Sequence, residues 1–425
     1  MAEQEFKDSK IEWIGVIPNC WQLHPIYSYF TERKCLNKIG KEQNLLSLSY
    51  GQIVKKDINT CEGLLPASFN TYNIINPGDI VFRLTDLQND KRSLRTGLSR
   101  ERGIITSAYV TISPKTEIDT RFYHYLFHAY DINKVFYNLG NGVRQGSNYS
   151  ELSRLMVLEP PKNEQIAIAN FLDSKCAEID ALKADIEKQI ETLQEYKKSV
   201  ITEAVTKGLD PNVEMKMSGC NWIGQIPKAW TESKVKLHLK RRTVRNPSPG
   251  NTEILSLYRE YGVIPKNSRD DNHNVTSADT SKYLFVRRGD FVINKMKAWQ
   301  GSVALSSYEG VVSPAYFVYE FISDQLDKQY LHYLLRSCYK DEFRRLSAGI
   351  REGQWDLSPE SFSNLLLILP SLEEQIEISQ YLETTLPQID KLIRDKGNQL
   401  ETLAQYKQSL IYEYVTGKKA VPANF

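Results

Sequence analysis

Apolar positions along this chain alternate between strand-like runs and helical spacing, and they do so twice in the same order. Residues 73–84 and 282–294 each hold a short extended segment led by a Gly-Asp turn, and residues 104–112 and 311–321 are β-branched and aromatic, as strands are. Residues 122–137 and 329–346 follow helical spacing. The aliphatic runs Leu155-Met156-Val157-Leu158 and Leu365-Leu366-Leu367-Ile368-Leu369 are short enough for buried strands, and Pro160 and Pro370 close them.

Past each proline the apolar residues adopt a heptad period: Ile179, Leu182, Ile186, Leu193, Tyr196 and Val200, then Ile389, Leu392, Leu403, Tyr406 and Leu410. We assign them to the a and d positions of a coiled coil, with Gln189 and Gln399 at equivalent d positions and Lys396 at an a position. Pro387 belongs at the first residue of a helix, so each region predicts a short helix followed by a long one, ended by Gly208 or Gly417. The long helix of the first region, from near Ala177 to Thr206, would span roughly 45 Å at about 1.5 Å per residue.

The same order of elements is spelled in repeated motifs. Trp13-Ile14-Gly15-Val16-Ile17-Pro18-Asn19-Cys20-Trp21 returns as Trp222-Ile223-Gly224-Gln225-Ile226-Pro227-Lys228-Ala229-Trp230. Leu45-Leu46-Ser47-Leu48 returns as Ile254-Leu255-Ser256-Leu257, Gly78-Asp79 as Gly289-Asp290, and Glu164-Gln165-Ile166 as Glu374-Gln375-Ile376. A period of about two hundred residues is too long for a solenoid, so a whole module is duplicated. The expected fold is α+β: mixed α/β domains at 1–162 and 210–370, helical regions at 163–209 and 371–417, and a tail at 418–425. The two long helices are expected to pair as an antiparallel coiled coil with pseudo-two-fold symmetry. Such a rod could hold two DNA readers about one helical turn, ~34–36 Å, apart, and so predicts a split target.

The length of 425 residues accommodates this duplication, and 41% hydrophobic with 25% charged residues is ordinary for a globular protein. Net charge is only +2, but Lys234, Lys236, Lys240, Arg241, Arg242 and Arg245 cluster without an intervening acid. The cysteines form no C-x-x-C pair, which indicates neither zinc nor a disulfide framework and fits a reducing cytoplasm. An export signal and a membrane-spanning run are not expected, since residues 1–5 lack a basic start and the longest aliphatic run is Leu365 to Leu369.

Phosphate-loop, dinucleotide, H-E-x-x-H and nucleophile-elbow motifs are absent from the sequence. Asn246-Pro247-Ser248-Pro249 only caricatures the motif of an amino-methylating enzyme. His124 and His128 read as packing and surface histidines rather than metal ligands, and Asp210, Glu214 and Lys216 resemble a nuclease triad only faintly. What each half does carry is basic, amide and aromatic side chains in loops. The DNA-contact candidates are Arg83, Gln88, Asn89, Lys91, Arg92 and Arg95, with Arg144, Gln145 and Asn148 in a second loop. In the other half they are Arg241, Arg242, Asn294, Lys295, Lys297, Trp299 and Gln300, with Arg351 and Gln354. Arg and Lys suit guanine edges, Asn and Gln suit adenine, and the remainder suit phosphates. These loops differ between halves far more than the helices do, as half-site readers should. From the residues alone, a self-sufficient DNA enzyme, a stand-alone DNA-binding regulator and a coiled-coil scaffold also remain open.

The motifs Trp-Ile-Gly-x-Ile-Pro-x-x-Trp, Asp86-Leu87-Gln88-Asn89-Asp90-Lys91-Arg92-Ser93-Leu94, Asn294-Lys295-Met296-Lys297-Ala298-Trp299-Gln300-Gly301 and Glu-Gln-x-x-Ile together resemble specificity subunits of type I restriction-modification systems, over essentially the whole chain. The resemblance implies two target recognition domains separated by two helical regions, and a bipartite double-stranded DNA target. It also implies two modification subunits, docked largely on the helical regions, that methylate adenine N6, and ATP-dependent restriction subunits. S-adenosylmethionine, ATP and Mg2+ would then belong to those partners, with no cofactor or metal in this chain. The departure of Pro387 and Lys396 from the first copy puts equal docking of both partners in question. A specificity subunit of a modification-only system is the nearest alternative.

Overall fold

The structure is a computed structural model that describes residues 5–59, 68–87, 94–140, 146–249, 251–259, 261–269, 279–349, 355–423 and 425. It divides into two compact units, Met1–Glu187 with Asn398–Phe425, and Lys188–Gly397. Each unit therefore combines one head with a part of both long helices.

In the first unit an antiparallel sheet runs Phe30–Glu32, Val110–Pro114, Ile80–Phe82, Thr96–Leu98, and helix Thr120–Ile132 packs against its last strand. Around it lie the strand pairs Leu46–Ser49 with Gln52–Lys55, Asn73–Ile75 with Gly103–Ile105, and Gln22–Pro25 with Met156–Glu159. The core joins Trp21, Phe30, Phe82, Phe122 and Tyr130 to Leu172 and Ile179 of one long helix and to Leu410, Ile411 and Val415 of the other.

The second unit repeats this plan. Its sheet runs Leu239–Arg242, Tyr316–Phe321, Phe291–Asn294, Val303–Leu305, and helix Lys328–Cys338 packs on Val303–Leu305. The helix expected over 329–346 is two, because the chain turns at Tyr339 before Lys340–Leu346. Core residues Trp230, Tyr330, Tyr339 and Phe362 meet Val200, Ala204 and Val205 on one helix and Ile378, Leu382 and Leu386 on the other.

The repeated motifs are the joints of these units. Trp13 sets its ring edgewise to Tyr130 at 4.8 Å, and Trp222 does the same to Tyr339 at 5.5 Å. The Tyr130 and Tyr339 hydroxyls donate to the carbonyls of Met156 and Leu366. Buried Trp21 donates its indole N–H to Glu164 at 3.0 Å, and Trp230 to Glu374 at 3.0 Å. The neighbouring glutamines tie helix starts together: the Gln165 side chain accepts from the Asp119 N–H and donates to the Pro160 carbonyl, as Gln375 does with Asp327 and Pro370. Asp119 and Asp327 themselves cap the N-termini of their helices.

Two expectations for the long helices need correction. Each region is one continuous helix, Lys162–Lys207 and Leu372–Val415, with Pro387 inside the second. A proline there forfeits a backbone bond. Pro387 lies on an exposed face, however, while buried Leu386 and Ile389 on either side hold the helix onto the core. The second correction concerns the seam. Ile179, Val200, Ile389 and Leu410 are buried, and Ile186, Leu193 and Leu403 are half-buried, as assigned. Leu182, Tyr196, Leu392 and Tyr406 are instead 52%, 54%, 50% and 55% exposed, and Gln189 and Gln399 are exposed too. The inward positions beside them are Lys183, Ile190, Lys197, Ile393, Leu400 and Lys407. A lysine can lay its methylene stem into a seam while its ammonium reaches out, so counting apolar residues shifts the d position by one. In the first unit the paired segments run antiparallel, with Phe171 against Tyr414 at 4.4 Å and Asp180 bonded to Lys407. In the second, Lys197 bonds Asp390. Gly208 and Gly417 end the helices with φ of +78° and +70°.

Candidate nucleic-acid interface

Both candidate surfaces grow from the strand that follows a Gly-Asp turn. Gly78 and Gly289 take φ of +89° and +86°, which allows the tight reversal. Asp79 is buried by that turn, accepts from the Asn76 N–H at 2.7 Å and from Ser113 at 2.5 Å, and pairs with Arg33 at 2.6 Å. Asp290 likewise accepts from the Arg287 N–H at 2.7 Å and pairs with Arg242. Burial pushes the Asp290 carboxyl up, against the pull of that N–H and of the Arg242 charge. Arg242 is thus a buried partner of Asp290, 7% exposed, and the expectation that it contacts DNA is withdrawn. Arg241 points the other way on the same edge strand: it is exposed, with its guanidinium 4.6 Å from the Phe317 ring.

The first loop leaves strand Ile80–Phe82 at half-buried Arg83. Arg95 is fully buried and holds the stems together, donating to the carbonyls of Arg83, Thr85 and Asp86 at 3.2, 2.7 and 3.2 Å and lying 5.1 Å from the Tyr137 ring. Its guanidinium is committed to backbone, so Arg95 shapes the loop and does not read bases. Gln88, Asn89, Lys91, Arg92, Arg144, Gln145, Arg351 and Gln354 lie outside the described residues. Asn148 is exposed and caps the turn Tyr149–Leu152, accepting from the Glu151 N–H.

The second loop leaves strand Phe291–Asn294. Asn294 is buried and its side-chain oxygen accepts from the Met296 N–H, so it builds the turn; this overturns its assignment as a base contact. Lys295 is half-buried against Asp356 at 2.7 Å, whereas Lys297 is exposed. Trp299 is half-buried, donates to the Met296 carbonyl, and packs against Trp355 with the rings tilted and their centroids 5.4 Å apart, with the exposed Arg344 guanidinium 5.5 Å from the Trp355 ring. Gln300 accepts from Arg259 at 3.0 Å. Arg259 and Arg344 join this surface without a signal in the sequence, since residues distant along the chain meet only after folding, whereas Trp355 ends the candidate loop that carries Arg351 and Gln354. Lys297, Trp299, Gln300 and Arg344 thus present cationic, aromatic and amide groups together, the set that contacts phosphates, sugars and base edges.

Elsewhere, His124 and His128 are both half-buried, and desolvation pushes their imidazoles down to about 3 and about 4. Glu214 pairs with Lys228 while Lys216 donates to the Trp230 carbonyl, so those two members of the faint nuclease triad are engaged separately. No helix is long and apolar enough to cross a membrane among the described residues.

Residues 248–402 match the type I restriction modification DNA specificity domain. The chain is 27% identical to the type I restriction enzyme MjaVIII specificity subunit of Methanocaldococcus jannaschii over 342 residues, 75% of each chain. It is 23% identical to the putative MjaX specificity subunit of the same organism over 98% of this chain and 97% of that one. Among solved structures, a chain from work on complex assembly and conformational transition of the type I R-M system aligns over 95% of this chain and 99% of its own, with TM-score 0.68 and 12% identity. The HsdS subunit from Thermoanaerobacter tengcongensis aligns over 95% and 98%, with TM-score 0.52 and 14% identity.

Proposed function

We infer that this chain is a DNA sequence-specificity subunit of the type I restriction-modification family, each head recognising one half of a bipartite target. The observation that carries the reading is the contrast between frame and loops. The same Trp–Glu, Trp–Tyr and Arg–Asp contacts build both heads. The loops mounted on that frame differ in sequence, and in the second head they gather cationic and aromatic groups on one surface. Two readers of different half-sites on a common scaffold need this division.

In this reading the chain performs no chemistry itself. Two modification subunits bind S-adenosylmethionine and methylate adenine N6, while restriction subunits use ATP and Mg2+ to cleave, all in the cytoplasm where the DNA lies. Two equivalent sets of exposed apolar residues support two copies of one partner. Leu182 and Tyr406 lie on the two long-helix segments of one unit, and Leu392 and Tyr196 hold the equivalent positions in the other. These four apolar side chains, identical between copies, are each about half exposed, which folding alone does not explain. Reconstitution tests the reading: the modification subunits should methylate duplex DNA only when this chain is added. Methylation by those subunits without it, or by this chain alone, would contradict the assignment.

A further inference from the structure

We infer that Tyr50 and Tyr261, at the tips of equivalent hairpins, contact the sugar–phosphate backbone of duplex DNA beside the loops that read bases. The inference rests on the DNA-recognition reading above. Strands Leu46–Ser49 and Gln52–Lys55 pair with Ser49 opposite Gln52, leaving Tyr50-Gly51 as a two-residue turn. Both turn residues have positive φ, +46° and +79°, the type I′ form in which Asn-Gly is the favoured pair. A bulky aromatic side chain is a poor choice for that conformation. Packing does not compensate, because Tyr50 is 85% exposed. The fold therefore gives no reason for tyrosine here, whereas an external contact does.

The other half keeps the exposed Tyr-Gly pair, with positive φ at the glycine alone. Its hairpin, Leu255–Tyr258 with Gly262–Pro265, carries Tyr261 at 55% exposure just before Gly262, whose φ is +71°. The Arg269 guanidinium lies 4.4 Å from the Tyr261 ring. Each tip also adjoins a candidate reading loop. A Cβ on Gly51 would lie 3.1 Å from the Leu94 side chain, and Leu94 directly follows Gln88–Ser93 in sequence. In the second head Arg259, on the hairpin turn, bonds Gln300. The loops differ between halves but the Tyr-Gly tip is common to both, so its ligand must be common to both half-sites. Sugar and phosphate are; base edges are not. The phenol hydroxyl donates to a phosphate oxygen while the ring lies on deoxyribose.

The test uses the complex of this chain with its modification subunits, binding fluorescent duplexes that carry either the full target or a scrambled sequence. Tyr50→Asn should keep or raise the melting temperature, because asparagine suits the turn, and should weaken binding to both duplexes roughly tenfold, as expected for loss of one hydrogen bond to a charged group. The methylated sequence should stay the same. Tyr261→Asn should weaken binding in the same way from the other head. Unchanged affinity, a lower melting temperature for Tyr50→Asn, or an altered methylated sequence would overturn the inference while leaving the DNA-recognition reading intact. A wild-type complex that bound target and scrambled duplex equally would remove that reading, and this contact with it.

Discussion

Lys407 donates its ammonium to both carboxylate oxygens of Asp180, each at 2.7 Å, from a side chain whose stem lies in the helix seam. The equivalent Lys197 bonds Asp390 at 2.5 Å. One residue thus supplies apolar packing and an ion pair together. Because the pair is partly exposed, its charge contributes only about 0.2–1 kcal/mol and the stem contributes the rest. Lys407→Met should therefore change stability by less than about 1 kcal/mol, while Lys407→Glu, facing Asp180, should lower the melting temperature clearly. Equal damage from both substitutions, measured by differential scanning calorimetry, would show that the charge and not the stem holds the seam.

Trp21→Phe keeps most of the buried ring but removes the donor to Glu164. Burial already pushes that carboxyl up while the indole N–H pulls it down. Leaving it unsatisfied should cost about 1–3 kcal/mol, and Trp230→Phe should do the same opposite Glu374. Urea unfolding of each variant measures this, and a neutral result in both would deny the joint its role.

Acid should destabilise the protein through its histidines. His124, His128 and His332 are half-buried, and desolvation pushes their imidazoles down to about 3, about 4 and about 3. Their folded values lie below the unfolded one, so the unfolded chain binds more protons, and stability is full above about pH 6.5 and falls as pH drops toward 4. Each group should cost about 2 kcal/mol between pH 6.5 and 5. Melting temperatures across this window should show the loss, and His128→Asn should flatten it; an unchanged slope in that variant would contradict the assignment.

Surface and frame cations should separate cleanly. Lys297→Ala should weaken DNA binding, lower the salt dependence by about one counterion, and leave the melting temperature alone. Arg95→Ala should instead destabilise the first head, since three carbonyls of the loop stem lose their donor. Titrations at several salt concentrations, with calorimetry, distinguish the two behaviours.

The duplication, the strand and helix order and the glycine helix ends were legible because each leaves a local mark: a repeated word, a period or a turn residue. The seam was misplaced by one position because Lys183, Lys197 and Lys407 do inward work that a hydrophobicity pattern assigns to Leu182, Tyr196 and Tyr406. Arg95, Arg242 and Asn294 look like any loop or strand-end polar residue in sequence, and only the partners brought by distant segments turn them into frame. Arg344 escaped for the converse reason, since nothing local marks a helix arginine that will lie over a distant indole.

The most direct measurement is a genome-wide map of N6-methyladenine in the source strain, with the gene intact, with the gene deleted, and with Lys297 and Gln300 both replaced by alanine. The account predicts a split motif that disappears on deletion and, in the double variant, is lost or relaxed in one half only. A methylation pattern indifferent to the deletion, or a variant that altered both halves alike, would contradict it.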